Sequence, residues 1–188
     1  AKNSGPEQVL SLAEEYMKQL EMTMAESINT MFFGDGTGNT NKDFYGLGNI
    51  VSATGTWGGI NRATAGNEYW RANVTAVGGA LAIAAMRTAY NDASEGNDQP
   101  TNILTDQDQF ENYEDLLDNN RRYVDNELGD AGFLNLMFKG APIVFDRAAP
   151  AGTMYFLNTK YLHVDKLNGV WFSPSDWLQP VNADTKYK

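Results

Sequence analysis

The stretch PEQVLSLAEEYMKQLEMTMAESINTMFF, Pro6 to Phe33, decides how the rest of this chain is read. Apolar residues recur in it at Val9, Leu12, Ala13, Tyr16, Leu20, Met24, Ile28 and Met31, the three-to-four spacing that lines up one face of a helix. Glu14, Glu15, Lys18, Glu21 and Glu26 fall on the opposite face. Ser4 is placed to cap the start, Pro6 suits the first turn, and Glu7 favours the positive end of the helix dipole. A helix over this span is about 42 Å long, well past the usual length of roughly 10–14 residues. With one apolar stripe, it reads as a spar across a flat body or as half of a coiled coil. Ordinary core packing is the plainer use of the same stripe.

Composition sets the outer limits. At 188 residues the chain fits one domain or two small lobes, and 42% hydrophobic content is enough for a real core. The longest apolar run, Ala80 to Met86, is too short to cross a membrane, so a soluble chain is expected. No cysteine is present, which removes disulfides, thiolate nucleophiles and Cys-type zinc sites. The chain begins Ala1-Lys2-Asn3 without Met or a signal-peptide pattern, which suggests a processed or excised piece. Fourteen basic against 24 acidic residues give a net charge of −10. A body so acidic repels a phosphate backbone; the charge suits a subunit kept soluble until a partner covers its apolar surface.

Beyond the rod, Gly34 stops the helix and Gly34-Asp35-Gly36-Thr37-Gly38-Asn39 follows. It fits neither a dinucleotide loop, which needs a preceding strand, nor a P-loop, which needs Gly-Lys-Ser/Thr. As a calcium loop it offers Asp35, Thr37, Asn39 and Asn41 but places Gly46 at the closing acidic position. A turn is the simpler reading. Gly58 to Val74 then reads as a glycine-punctuated loop carrying Trp57, Arg62, Trp70 and Arg71 in or beside it. Aromatic and Arg side chains are favoured in protein–protein contacts, although Trp most often packs onto its own core.

Thr75 to Tyr90 reads as a second helix with Val77, Leu81, Ala84, Ala85 and Thr88 on one face, despite Gly78 and Gly79 near its start. Asn102 to Leu104 reads as a short strand. Thr105 caps a third helix, with Asp108 in the reciprocal capping-box position and Phe110, Tyr113, Leu116 and Leu117 as its buried stripe. Phe133 to Phe138, Pro142 to Phe145, Thr153 to Leu157 and Tyr161 to Val164 read as strands, and Pro142 argues for an edge or a bulge. Helices first and antiparallel strands later make the fold class α+β.

Catalytic chemistry has little to work with. His163 is the lone histidine, set in an alternating strand, and no Gly-x-Ser-x-Gly elbow is present. Asp106 and Asp108 could serve acid–base chemistry, as in a carboxylate-based hydrolase, but they also sit where a helix start welcomes negative charge. Asp115, Asp118, Asp125 and Asp130 lack ligand spacing and suit a solvated face. Arg121-Arg122 could grip phosphate, yet among so many acids an ion-paired or intersubunit surface is the better use. No catalytic, cofactor or metal site is expected. An acidic carbohydrate-binding module stacking sugars on Trp57, Trp70 or Trp171 is the alternative function.

Six blocks resemble the major capsid protein of tailed bacteriophages and prophages. These are Met31-Phe32-Phe33-Gly34-Asp35-Gly36; Gly46-Leu47-Gly48-Asn49-Ile50-Val51; Gly58-Gly59-Ile60-Asn61-Arg62 with Tyr69-Trp70-Arg71; Asp130-Ala131-Gly132-Phe133; Phe138 to Asp146; and Met154 to Leu162. They follow the family's order and span most of the chain. The resemblance implies the Hong Kong 97-like fold: a long spine helix, a peripheral β-platform and an axial α/β lobe. It divides the chain into residues 1–74 (spine helix and peripheral segment), 75–165 (axial lobe) and 166–188 (return to the periphery). It also implies a non-enzymatic shell subunit that self-assembles into pentamers and hexamers around double-stranded DNA, which it touches only non-specifically. The other partners it implies are scaffold, portal and decoration proteins; the location is the virion, after synthesis in the bacterial cytoplasm. The family's N-terminal arm and extended loop are missing, and the chain stops early, so truncation at both ends is expected. Trp57, Arg62, Trp70, Arg71, Arg121 and Arg122 are the candidate inter-subunit or inter-domain contacts.

Overall fold

A computed structural model describes residues 6–118 and 136–165 of the chain. By its contacts the chain falls into two compact units, Ala1–Asn158 and Thr159–Lys188. In the first, helix α1 runs unbroken over Pro6–Phe33, the full span predicted from the apolar spacing. Gly34 stops it, its N–H returning to Met31 O at 3.0 Å. The next turn, α2 (Gly38–Asn41), is wound left-handed at Asn39, Thr40 and Asn41. Helix α3 (Leu47–Ile50) then packs back against the end of α1. That packing depends on glycine: a Cβ on Gly46 would lie 2.3 Å from Phe32 O, and one on Gly48 2.9 Å from Phe33 O.

Gly58–Val74 is more ordered than a loop. Strands β1 (Thr56–Trp57) and β2 (Ile60–Asn61) form a two-residue hairpin turned by Gly58 and Gly59, both at positive φ. Such a turn requires the left-handed region that only glycine enters at little cost. A single 3₁₀ turn, Glu68–Trp70, follows.

The second helix is shorter and later than its spacing predicts. Helix α4 covers Ile83–Asp92, and residues 71–82 hold neither helix nor strand. The cause is Gly78 at φ 65°, which a right-handed helix cannot contain. The remaining elements are β3 (Asn102–Thr105), α5 (Gln107–Asp118), β4 (Leu136–Phe138), β5 (Ala141–Phe145) and β6 (Met154–Leu157).

Four strands make one sheet in the order β4-β5-β3-β6. The sequence points to antiparallel pairing throughout, but β3 and β5 are parallel, joined through α5, so the sheet is mixed. A parallel pair needs a long crossover, and α5 supplies it. Pro142 consequently lies not on an edge strand but in an internal one. It sits one residue before the stretch paired with β3, which begins at Ile143, so the pairing with β3 does not need its missing N–H.

One sheet face holds Leu136, Phe138, Ala141, Ile143, Ile103 and Phe156 and carries the core, closed by Met86 and Tyr90 of α4 and Tyr113 of α5. Tyr90 and Tyr113 each stand edge-on to Phe138, at 5.9 and 6.3 Å between ring centroids. The opposite face meets the end of α1, where Phe33 touches Tyr155 at 6.1 Å. Asn29 Nδ2 adds a 2.8 Å hydrogen bond to Asp146 Oδ1 just past β5. The fold is α+β.

In the second unit, Thr159–Tyr161 is a 3₁₀ turn and residues 162–165 are irregular, so the strand expected over Tyr161–Val164 is not formed. His163 is exposed and stands in no strand. Among the described residues this run pairs with no strand, and alternation alone does not hold one. The expected Arg121-Arg122 contact, Asp125, Asp130, Trp171 and the 166–188 segment lie outside the described residues.

Candidate inter-subunit surface

Arg62 organises the segment singled out by its aromatics and arginines. It follows the short hairpin directly and turns inward, 2% exposed. Its guanidinium donates from Nε to Trp70 O (3.0 Å), from Nη1 to Asn49 O (2.8 Å) and Thr54 O (3.3 Å), and from Nη2 to Ile50 O (3.1 Å). Two of these carbonyls belong to the last residues of α3, which have no partner within the helix. Arg62 is therefore a strut joining α3, the hairpin and the 3₁₀ turn. Its guanidinium is committed inside its own chain, because a fork of donors is the cheapest way to satisfy several converging carbonyls.

The other three residues surround it. Arg71 Nε donates to Arg62 O, and its far end forms a 3.7 Å ion pair with Glu68. Trp70 Nε1 donates to Trp57 O at 2.9 Å, while the Trp57 ring stands edge-on to Tyr45 at 5.2 Å. Trp57 is half-buried; Tyr69 and Trp70 are exposed beside each other, 6.4 Å apart. The structure thus brings Trp57, Arg62, Trp70 and Arg71 into one cluster. The aromatics form its outer surface and the arginines its internal ties.

The carboxylates of the hydrolase reading are separated in role. Asp106 is buried, with Oδ2 accepting from Gly152 N at 3.0 Å, and pins the loop before β6 to the end of β3. Asp108 is exposed on the first turn of α5. Thr105, expected as a helix cap, is the last residue of β3, and its hydroxyl donates to Thr153 O at 3.0 Å. Asp35 closes the glycine-rich turn by accepting from Thr37 Oγ1 (2.7 Å) and Thr37 N (3.0 Å); the hydroxyl bond, then the backbone bond, hold its carboxyl below the usual value. Among the described residues no three His, Asp or Glu side chains gather as metal ligands, and no helix is long and apolar enough to cross a membrane.

An unburied apolar stripe lies on α1. From Glu14 to Thr23 every side chain but Met17 is exposed, including Tyr16 (63%), Leu20 (53%) and Met22 (73%). Leu12, Tyr16 and Leu20 follow at four-residue intervals along one side of the helix. Only toward Ile28 and Phe33 does the stripe become covered by the unit's own residues.

No protein-family model and no curated protein matches the chain. Among solved structures it is similar to a chain of the cyanophage A-1(L) capsid asymmetric unit, at 28% identity and a TM-score of 0.48, over 74% of this chain and 47% of that one. The chain therefore spans about half the length of that capsid chain.

Proposed function

We propose that the chain is a structural, non-enzymatic subunit of a phage or prophage capsid of the Hong Kong 97-like kind, which associates with copies of itself. The observation that carries this reading is α1: 28 unbroken residues whose apolar stripe is exposed at Leu12, Tyr16 and Leu20. A soluble chain of net charge −10 that leaves such a stripe open is poised to bury it against another subunit. The ordered sequence blocks add the kind of assembly, a shell. Mechanistically, each contact is heterologous, one patch meeting a different patch of the next copy. Such contacts close into rings of five or six when the rotation between copies allows it.

On this reading the shell encloses double-stranded DNA without sequence-specific contact, and scaffold, portal and decoration proteins are its further partners. The virion is its location, after synthesis in the host cytoplasm. The test is negative-stain microscopy with sedimentation velocity on the purified protein across salt, pH and crowding agents. Rings or shells are expected. Monomers under every condition overturn the reading.

A further inference from the structure

A strand edge and a segment without regular structure line the two sides of a cleft of about 460 Å³ and do not join. One wall is β6, which ends the sheet and, among the described residues, pairs only with β3. Its outer edge, at Met154, Tyr155 and Phe156, opens into the cleft. The other wall is the segment Asn73–Ala80 (NVTAVGGA), which has no regular structure and bends at its end, eight consecutive exposed residues without a single charge. Val74 is 64% and Val77 50% exposed. Among the described residues no backbone hydrogen bond ties this segment to β6.

Each wall is unsatisfied in a complementary way. An open sheet edge presents unpaired N–H and C=O groups and is a template for another strand. An exposed, uncharged run with β-branched residues on both of its faces is suited to be that strand. The start of the segment is anchored away from β6. Ala72 N bonds to Ser52 O at 3.2 Å and Asn73 Nδ2 to Asp92 O at 2.6 Å. Asp92 is also the only charged residue lining the cleft. Copies of a chain carrying −10 repel one another, and this neutral cleft is where they meet least repulsion.

We propose that the β6 edge of one copy accepts the Asn73–Ala80 segment of a second copy as an added strand. This rests on the self-association reading above and names a second surface, besides the α1 stripe, through which copies join. The contact is heterologous, a segment on one copy and an edge on the next, so it repeats head to tail as ring formation requires. The main-chain ladder supplies affinity, and the floor of the cleft at Ala85 and Met86 receives side chains from one face of the added strand.

The test uses the whole chain, at a concentration where it is monomeric, and a synthetic peptide of sequence NVTAVGGA blocked at both ends. Hydrogen exchange at Met154–Phe156 is expected to slow by about tenfold or more at saturating peptide. Peptides N-methylated on alternate amides, in the two possible phases, separate backbone pairing from pocket filling. At least one phase is expected to abolish protection. No protection at millimolar peptide, or full protection by both methylated peptides, overturns the proposal.

A Val74→Lys, Val77→Lys double variant changes only exposed side chains and is expected to weaken self-association at least about tenfold with an unchanged melting temperature. Association equal to the unaltered chain overturns the proposal. A chain that assembles although the peptide leaves β6 unprotected sinks this inference and leaves the shell reading intact. A chain that stays monomeric while the peptide protects β6 upholds the edge as a strand acceptor and sinks the shell reading.

Discussion

At the scale of single residues, Arg62 shows how a side chain chosen for its surface-seeking chemistry becomes internal. Its guanidinium donates four hydrogen bonds to carbonyls from α3, from Thr54 and from Trp70, and no neutral side chain could satisfy them all. Replacing it by Met leaves those carbonyls unpaired, and a loss of about 2–4 kcal/mol in urea unfolding is expected. Arg62→Lys should recover little of that, because one ammonium cannot span the fork. Tyr113 is a second case. Burial pushes its phenol above the ordinary value of 10.0, so the folded state favours the neutral form. The stability this confers is complete below about pH 10 and is lost as pH rises through the folded value. Urea midpoints measured between pH 8 and 11 should therefore fall, and Tyr113→Phe should flatten the fall. The same change should lower stability near neutrality by about 1 kcal/mol, because Met137 O loses its 2.9 Å donor.

At the scale of elements, the end of α1 and the start of α3 are held together by the absence of side chains. Gly46→Ala drives a Cβ against the carbonyls of Phe32, Met31 and Gly34. Since those oxygens belong to a helix end that cannot retreat, a loss of about 1–3 kcal/mol is expected by thermal unfolding. The open part of α1 responds in the opposite way. Tyr16→Glu with Leu20→Glu touches only exposed positions, so stability should change by less than about 0.5 kcal/mol per site. Association into rings or shells should nevertheless disappear in sedimentation, because the stripe that needs covering has become charged. An unfolded variant, or one that assembles normally, would contradict this division of labour between the two ends of one helix.

At the scale of the whole molecule, charge and apolar surface act against each other. A net charge of −10 keeps copies apart while the α1 stripe and the uncharged Asn73–Ala80 run favour contact. Raising ionic strength from about 0.01 to 0.15 M shortens the screening length from roughly 30 to 8 Å. Association between copies should therefore strengthen with salt, read as a rise in sedimentation coefficient at fixed protein concentration. A nucleic-acid-binding protein would show the reverse, since its affinity falls as salt rises. The two behaviours distinguish a shell subunit held by its own copies from one held by the DNA it encloses.

The sequence by itself determined the elements whose cause is local. The α1 span follows from residue spacing, its end from Gly34, the α5 stripe from Phe110, Tyr113 and Leu117, and most of β3, β5 and β6 from short β-branched and aromatic runs. Each of these depends on neighbours within one or two turns of chain. Tertiary structure decided everything that depends on residues meeting from afar. The parallel pairing of β3 with β5 required α5 as a crossover. The start of α4 was set by a left-handed Gly78, while helical spacing alone extends it back to Thr75. Whether Arg62 faced solvent or four carbonyls depended on where α3 and the hairpin converged. The exposure of Asn73–Ala80 beside an open strand edge was equally invisible in the sequence, because an uncharged β-branched run reads the same whether it is covered or bare. Local periodicity fixes what an element is; only the folded chain fixes what it is left facing.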